Sequence, residues 1–238
     1  MSDLLANKPI SVSVGDYLKA IWGVAGTGWA STNELSERLS VSPASVSSML
    51  VRLPKMGFAD YEPYHGASLT ERGRREALRL VRRHRLIETF LLEHLGYPLT
   101  DLHDEAERLE HAVSDEFTER LAQLLGHPRR DPHGDPIPAP DGTIEEQEDK
   151  PLSESETGCR VRISRVEHKD KAALAHLKDR GLLPGKLLKV QEVRVLDGVV
   201  TVENEEGTPH ALGNLLAGSI FVASIPESDG RSGQSKPA

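Results

Sequence analysis

The hydrophobic period of this chain changes near residue 160, and that change limits what each part can fold into. Upstream, apolar residues recur at spacings of three and four, the period of an amphipathic helix. "VGDYLKAIWGVAG" puts Val14, Leu18, Ile21, Trp22 and Ala25 on one stripe, which Gly26 and Gly28 end. "STNELSERLS" opens on a hydroxyl cap and turns Leu35 and Leu39 inward. "VSPASVSSMLVRLPKMG" follows almost at once. Ser42 suits an N-cap, Pro43 the first helical position, and Val46, Met49, Leu50 and Leu53 form the apolar stripe up to Gly57. "FADYEPYHGASLTERG" reads as strand, turn at His65-Gly66, strand. Helix, short helix, tight turn, helix and hairpin is the order of a winged helix-turn-helix. A long helix starts at a capping Thr70, a second is centred on residues 103–116, and "FTERLAQLLGHP" continues the helical part.

"PRRDPHGDPIPAPDG" is a Pro/Gly/Asp loop, and "TIEEQEDKPLSESETG" is polar and acidic, the composition of a flexible linker. From Arg160 the period is two: "CRVRISRV", "KLLKVQEVRVLDGVVTVENEEG" and "GSIFVASI", with a hairpin signal at Asp197-Gly198. The expected fold is mainly α with a small all-β domain. A winged-helix domain covers residues 1–75, a helical domain 76–141 and an acidic linker 142–157. A β-barrel or sandwich with one helix at "KDKAALAHLKDRG" covers 158–226, and a disordered tail covers 227–238.

The 238 residues carry a net charge of −8, which by itself argues against nucleic acid. The charge is unevenly spread, however. Residues 1–85 hold 12 Lys/Arg against 8 Asp/Glu, residues 86–157 hold 5 against 19, and residues 158–238 hold 12 against 10. A basic head on an acidic body leaves DNA open as a partner, because local potential decides binding. Cys159 is the only cysteine, so no intrachain disulfide forms, as expected of a reducing compartment. The N-terminus lacks a basic-then-apolar secretory pattern, and no apolar run is long enough to span a membrane. These features predict a soluble, cytoplasmic protein.

"HDEAERLEHAVSDE", residues 103–116, packs six carboxylates and two histidines into fourteen residues. Ala106, Leu109, Ala112 and Val113 run through it at the spacing of a buried helix face. On one continuous helix, Glu107, Glu110 and His111 project together, with His103 one turn earlier. Oxygen and imidazole donors suit a divalent metal of intermediate hardness. A solvated charged face with i,i+4 pairs is the plainer alternative. Asp16 in an otherwise apolar helix, the His84–Glu88 pair at a spacing of four, and Asp131 near His133 favour the metal, because acids on an apolar face need a compensating cation. A helical di-iron oxidase is a weaker reading, since the cluster has no second copy, and the chain has neither a His-Glu-x-x-His motif nor a Gly-rich phosphate loop.

Taken in order, "GDYLKAIW", "VSPASVSSMLVRL", "RRHRLIETFL", "HDEAERLEHAVSDE" and "PHGDPIP" resemble the diphtheria toxin repressor family of metal-dependent transcriptional regulators, in its manganese-responsive branch. The resemblance covers residues 10–140, with a weaker match to an SH3-like domain over 158–225. It implies a winged-helix DNA-binding domain, a helical metal-binding dimerisation domain and an SH3-like β-barrel. The family's metal ligands fall on Asp16, His84, Glu107, Glu110 and His111. A second site falls on His84, Glu88 and His103 in one version, or on Asp131 and His133 in another. Glu167, His168 and Asp170 are the SH3-like domain's candidates. Iron-sensing relatives have sulfur where this chain has Asp16 and Glu107, so hard oxygen favours Mn2+, with Fe2+ the alternative. Some manganese sensors have an acid where this chain has Lys19.

The resemblance implies a non-enzymatic, homodimeric repressor of metal-homeostasis genes on near-palindromic double-stranded DNA. Without metal, Asp16 should repel Glu107 and Glu110; with it, the two domains should take one pose. Ser42, Pro43, Ala44, Ser45, Ser47 and Ser48 on the second helix of the helix-turn-helix, with Arg52 and the wing at His65, are the expected DNA contacts.

Overall fold

Ser11 Oγ accepts a hydrogen bond from the Val14 amide and starts α1 (Val12–Ala25), whose face of Val14, Tyr17, Leu18, Ala20 and Ile21 is buried. The computed structural model describes residues 10–145, 148–167 and 170–225. The described chain forms two compact units. One comprises residues up to Asp131 together with Pro136–Glu145, and the other comprises Pro132–Asp135 together with the chain beyond residue 145.

In the first unit, α2 (Thr32–Leu39) begins with a reciprocal capping box between Ser31 and Glu34. α3 (Pro43–Arg52) begins at Ser42, whose Oγ accepts from the Ser45 amide, and buries Val46, Met49 and Leu50. α3 stops before Gly57, because Pro54–Met56 form a separate 3-10 turn closed by Gly57 in the left-handed region. β1 (Ala59–Glu62) and β2 (Gly66–Leu69) pair antiparallel with Glu62 opposite Gly66. The wing turn is therefore Pro63-Tyr64-His65, and Gly66 belongs to the strand rather than to the turn expected at His65-Gly66. Tyr64 takes the positive φ of 66°. Gly66 is needed for close approach: a Cβ there would lie 2.1 Å from the Ala30 carbonyl oxygen, beside the Ala30–Ala67 backbone bridge.

α4 (Glu71–Glu93), capped by Thr70, carries an unusual load of buried polar groups: Arg82, Arg83, His84, Glu88 and Thr89. The arginines have internal partners. Arg82 donates to Glu119 and to the Pro138 carbonyl, and Arg83 donates to Asp115. α5 (Leu102–Leu109) is shorter than its sequence pattern suggests. The stripe expected to continue through Ala112 ends, with Ala106 buried but Leu109 and Ala112 exposed. Glu110 caps α5 in helical geometry, and a tight turn follows, with the Ala112 amide donating to the Leu109 carbonyl. α6 (Asp115–Leu124) then starts on its own cap, Ser114.

The second unit is a six-stranded sheet of order β3-β8-β4-β5-β6-β7, formed by β3 (Lys150–Pro151), β4 (Arg160–Val166), β5 (Leu187–Arg194), β6 (Val199–Asn204), β7 (Pro209–Gly213) and β8 (Ile220–Ser224). All neighbours pair antiparallel. Among the described residues the outer strands β3 and β7 do not pair, so the expected barrel appears as an SH3-like sheet without that closing ladder. α7 (Lys171–Asp179) matches the one helix expected; α8 (Asn214–Gly218) is a second. The segment expected to be an acidic linker contributes structure at its end, since Lys150–Pro151 pair with β8 and Leu152, an apolar residue among acids, is fully buried. The expected disordered tail and His168 lie outside the described residues.

Candidate metal centre

α1, α4 and α5 bring eight polar side chains of the first unit together. Asp16 and Lys19 come from α1, His84 and Glu88 from α4, and His103, Glu107, Glu110 and His111 from α5 and its end. Asp16 and Lys19 share a face of α1 because they are three residues apart. Gly15 gives the room behind them: a Cβ on it would stand 2.8 Å from His111 Cε1 and from Leu80 Cδ1.

One ligand atom each from Asp16, Glu107, Glu110 and His111 fall within 4.8 Å of one another, and the same holds for His84, Glu88 and His103. His111 Nε2 lies 2.8 Å from Asp16 Oδ1 and 3.2 Å from Glu110 Oε1. His84 joins the two groups: its Nδ1 is 2.6 Å from Glu110 Oε2, and its Nε2 is 3.0 Å from both Glu88 Oε1 and His103 Nδ1. Glu110 is fully buried, whereas the Glu107 side chain is 41% exposed. Lys19 Nζ donates to Glu110 Oε1 at 2.6 Å and to Glu107 Oε2 at 2.8 Å.

The charges are strongly coupled. Burial would raise the Glu110 carboxyl, but hydrogen bonds to His111 and His84 and the charge of Lys19 hold it well below the carboxylate range. The hydrogen bond to Asp16, then that to Glu110, lifts His111 to about 9. Burial opposes the charging of His84, yet Glu88 and Glu110 lift it to about 9. The expected repulsion of Asp16 from Glu107 and Glu110 is therefore offset by cationic groups of the chain itself. Carboxylates and imidazoles within a few ångströms of one another, from three elements and centred on the buried Glu110 and His84, are a donor set that fits a divalent metal ion.

The remaining candidates are placed differently. Asp131 is buried in the first unit with Arg85 Nε 3.5 Å away. His133 belongs to the second unit, where its carbonyl accepts from the Val166 amide. Glu167 is exposed and its amide donates to the Ser219 carbonyl; the Asp170 carboxylate caps α7 by accepting from the Ala172 and Ala173 amides. On α3, Ala44, Ser45, Ser48 and Arg52 are exposed, while Ser47 is half-buried and its hydroxyl donates to the Pro43 carbonyl. His65 packs against Trp29 with ring centroids 4.7 Å apart. Sequence reasoning missed two contributors. Lys19 appeared only as a departure from the acid that some manganese sensors have there, and Gly15, whose place inside an apolar helix was the available signal, did not appear at all.

Comparison with known proteins bears on the family and the fold. Residues 10–67 match the family model described as "Iron dependent repressor, N-terminal DNA binding domain", and residues 70–139 match "Iron dependent repressor, metal binding and dimerisation domain". Residues 150–224 match the FeoA domain. The chain is 38% identical to a solved manganese-dependent transcriptional repressor in complex with manganese, over 89% of this chain and all of that one, with a TM-score of 0.83. It is 30% identical to the iron-dependent repressor of Mycobacterium tuberculosis over 74% of this chain and 82% of the relative. The chain belongs to the diphtheria toxin repressor family. It is 34% identical to the diphtheria toxin repressor of Corynebacterium glutamicum itself, over 58% of this chain and 60% of that protein.

Membership in the diphtheria toxin repressor family makes this a metal-dependent, DNA-binding transcriptional repressor that forms homodimers through its helical region, and not an enzyme. No helix among the described residues is long and apolar enough to cross a membrane.

Proposed function

We propose that the protein is a manganese-responsive repressor of metal-homeostasis genes whose regulatory ion is held by Asp16, Glu107, Glu110 and His111. The carrying observation is that Asp16, a half-buried carboxylate on α1, meets His111 at 2.8 Å beside Glu107 and Glu110. His84, Glu88 and His103 form a neighbouring imidazole–carboxylate site, coupled to the first through the His84–Glu110 hydrogen bond.

A bound divalent ion supplies a double positive charge and a fixed donor geometry. Asp16 lies on α1, which packs against α2, and α2 packs in turn against α3, so holding Asp16 to α5 bears on the position of α3. Metal affinity and DNA affinity are then coupled by linkage, typically by about 1–3 kcal/mol. Hard oxygen from Asp16 and Glu107 favours Mn2+, the ion in the complex of the 38% identical manganese-dependent repressor. In the dimer, two α3 helices read a near-palindrome with half-sites about 34 Å apart or a multiple of that. Ser42, Pro43, Ala44, Ser45, Ser47 and Ser48 offer small and hydroxyl groups for shape and phosphate readout; Arg52 and the wing at His65 hold the backbone.

The test is operator binding titrated with Mn2+, Fe2+, Co2+, Ni2+ and Zn2+. We expect activation at the lowest concentration of Mn2+ and a loss of that response in Asp16→Ala with the dimer intact. Preferential activation by Fe2+ would move the protein to the iron-responsive reading, and an unaltered Mn2+ response in Asp16→Ala would remove the bridging role.

A further inference from the structure

Lys19 is no metal ligand, yet it sits on the ligands' own oxygens. Its ammonium is 2.6 Å from Glu110 Oε1 and 2.8 Å from Glu107 Oε2, with the side chain only 17% exposed. Glu110 has no carboxylate oxygen to spare: Oε2 is taken by His84 at 2.6 Å, and Oε1 is shared by Lys19 and His111. An incoming dication therefore meets a positive charge already attached to two of its four donors. Lysine carries that charge on a flexible four-carbon stem, so it can swing aside where a rigid group could not.

We propose that Lys19 is a resident competitor that sets the concentration at which the metal centre fills. The inference rests on the proposed ligand set. The ammonium stabilises the buried Glu110 carboxylate when no ion does so, because an uncompensated buried carboxylate is costly. That same attraction must be given up, or shared, when a dication takes Glu107 and Glu110. The penalty is electrostatic, so it raises the threshold for every divalent ion by a similar factor and leaves their rank order unchanged. A lysine that merely propped the ligands in place would act in the opposite direction, and its removal would weaken binding.

The measurement is Mn2+ affinity of the full-length protein without DNA, by competition with a fluorescent chelator, for wild type, Lys19→Gln, Lys19→Met and Lys19→Arg. Thermal melting of each variant in chelator checks the fold, and Lys19→Met stands in if Lys19→Gln misfolds. Loss of the positive charge should tighten Mn2+ binding on the order of tenfold, the scale set by a unit charge beside a dication even in a water-like medium. Co2+ and Zn2+ should shift by a similar factor, and Lys19→Arg should stay near wild type. Unchanged or weaker Mn2+ binding by the neutral variants, with wild type still binding, overturns the inference alone. Absence of Mn2+ binding by wild type overturns the proposed ligand set, and the inference with it.

Discussion

Helices α3 and α5 are comparable in length, ten and eight residues, but they are delimited by different physics. Ser42 supplies the α3 cap bond and Pro43 the first helical φ, both local choices. α5 starts at Asp101 with no side-chain cap bond and ends at Leu109, although its apolar spacing continues for another turn. What replaces the local signal is Glu110, fully buried against Lys19, His84 and His111 from three directions. Local chemistry starts one helix, and a buried charge cluster sits at the end of the other.

Glu110→Ala tests that difference hardest. It would leave Lys19 and His84 facing each other without the acid between them. Removing one partner of a buried charged set costs about 3–5 kcal/mol, so urea unfolding in chelator should show a loss of that size. Mn2+ binding heat should vanish as well. A loss below about 1 kcal/mol, the scale of an exposed pair, would mean that the cluster does not fix the end of α5.

Gly15→Ala comes next and reverses the usual helix rule. Alanine normally gains about 1 kcal/mol over glycine in a helix interior. Here its Cβ would press on His111 Cε1 and Leu80 Cδ1 at 2.8 Å, and overpacking costs about 1–3 kcal/mol. We expect a net loss of stability together with weaker Mn2+ binding, since the displaced group is a proposed ligand. A stabilised variant with unchanged Mn2+ affinity would show that His111 has slack.

Ser42→Ala, the counterpart on α3, should cost about 1 kcal/mol by losing the cap, with Mn2+ affinity unchanged in the absence of DNA. A change in metal affinity would mean that α3 is not locally specified after all.

The same contrast explains what could be read from the sequence. The winged helix was legible because its caps, glycines and apolar stripes are within a few residues of one another. The wing turn was misplaced by one position because His65-Gly66 has turn composition, whereas Gly66 is demanded by the Ala30 carbonyl, a partner distant in sequence. Asp16, Glu107, Glu110 and His111 stood out by type and spacing, yet the turn after Leu109 did not, because its cause lies on α1 and α4. Lys19 was visible as an odd residue, but its role depends on two oxygens about ninety positions away. In the second unit, one buried leucine, Leu152, outweighed the acidic composition around it.

Asp115→Asn should have the smallest effect, and it separates two explanations for the turn between α5 and α6. Arg83 donates to both the Glu110 carbonyl, at 3.4 Å, and Asp115 Oδ1, at 2.8 Å, while Arg79 also reaches Asp115. Burial opposes ionisation of Asp115, but the two arginines hold its carboxyl below the ordinary value. Such a group stabilises the fold above its unfolded pKa, and that contribution fades as the pH falls through the folded value. The Asp115 side chain is 63% exposed, so solvent limits the pair to about 0.2–1 kcal/mol. The variant should lose that much near neutral pH and nothing once the wild-type acid is protonated. A cost of several kcal/mol would transfer control of the turn from the buried Glu110 cluster to the Arg83–Asp115 clamp, and α5 would then be ended by a surface tie.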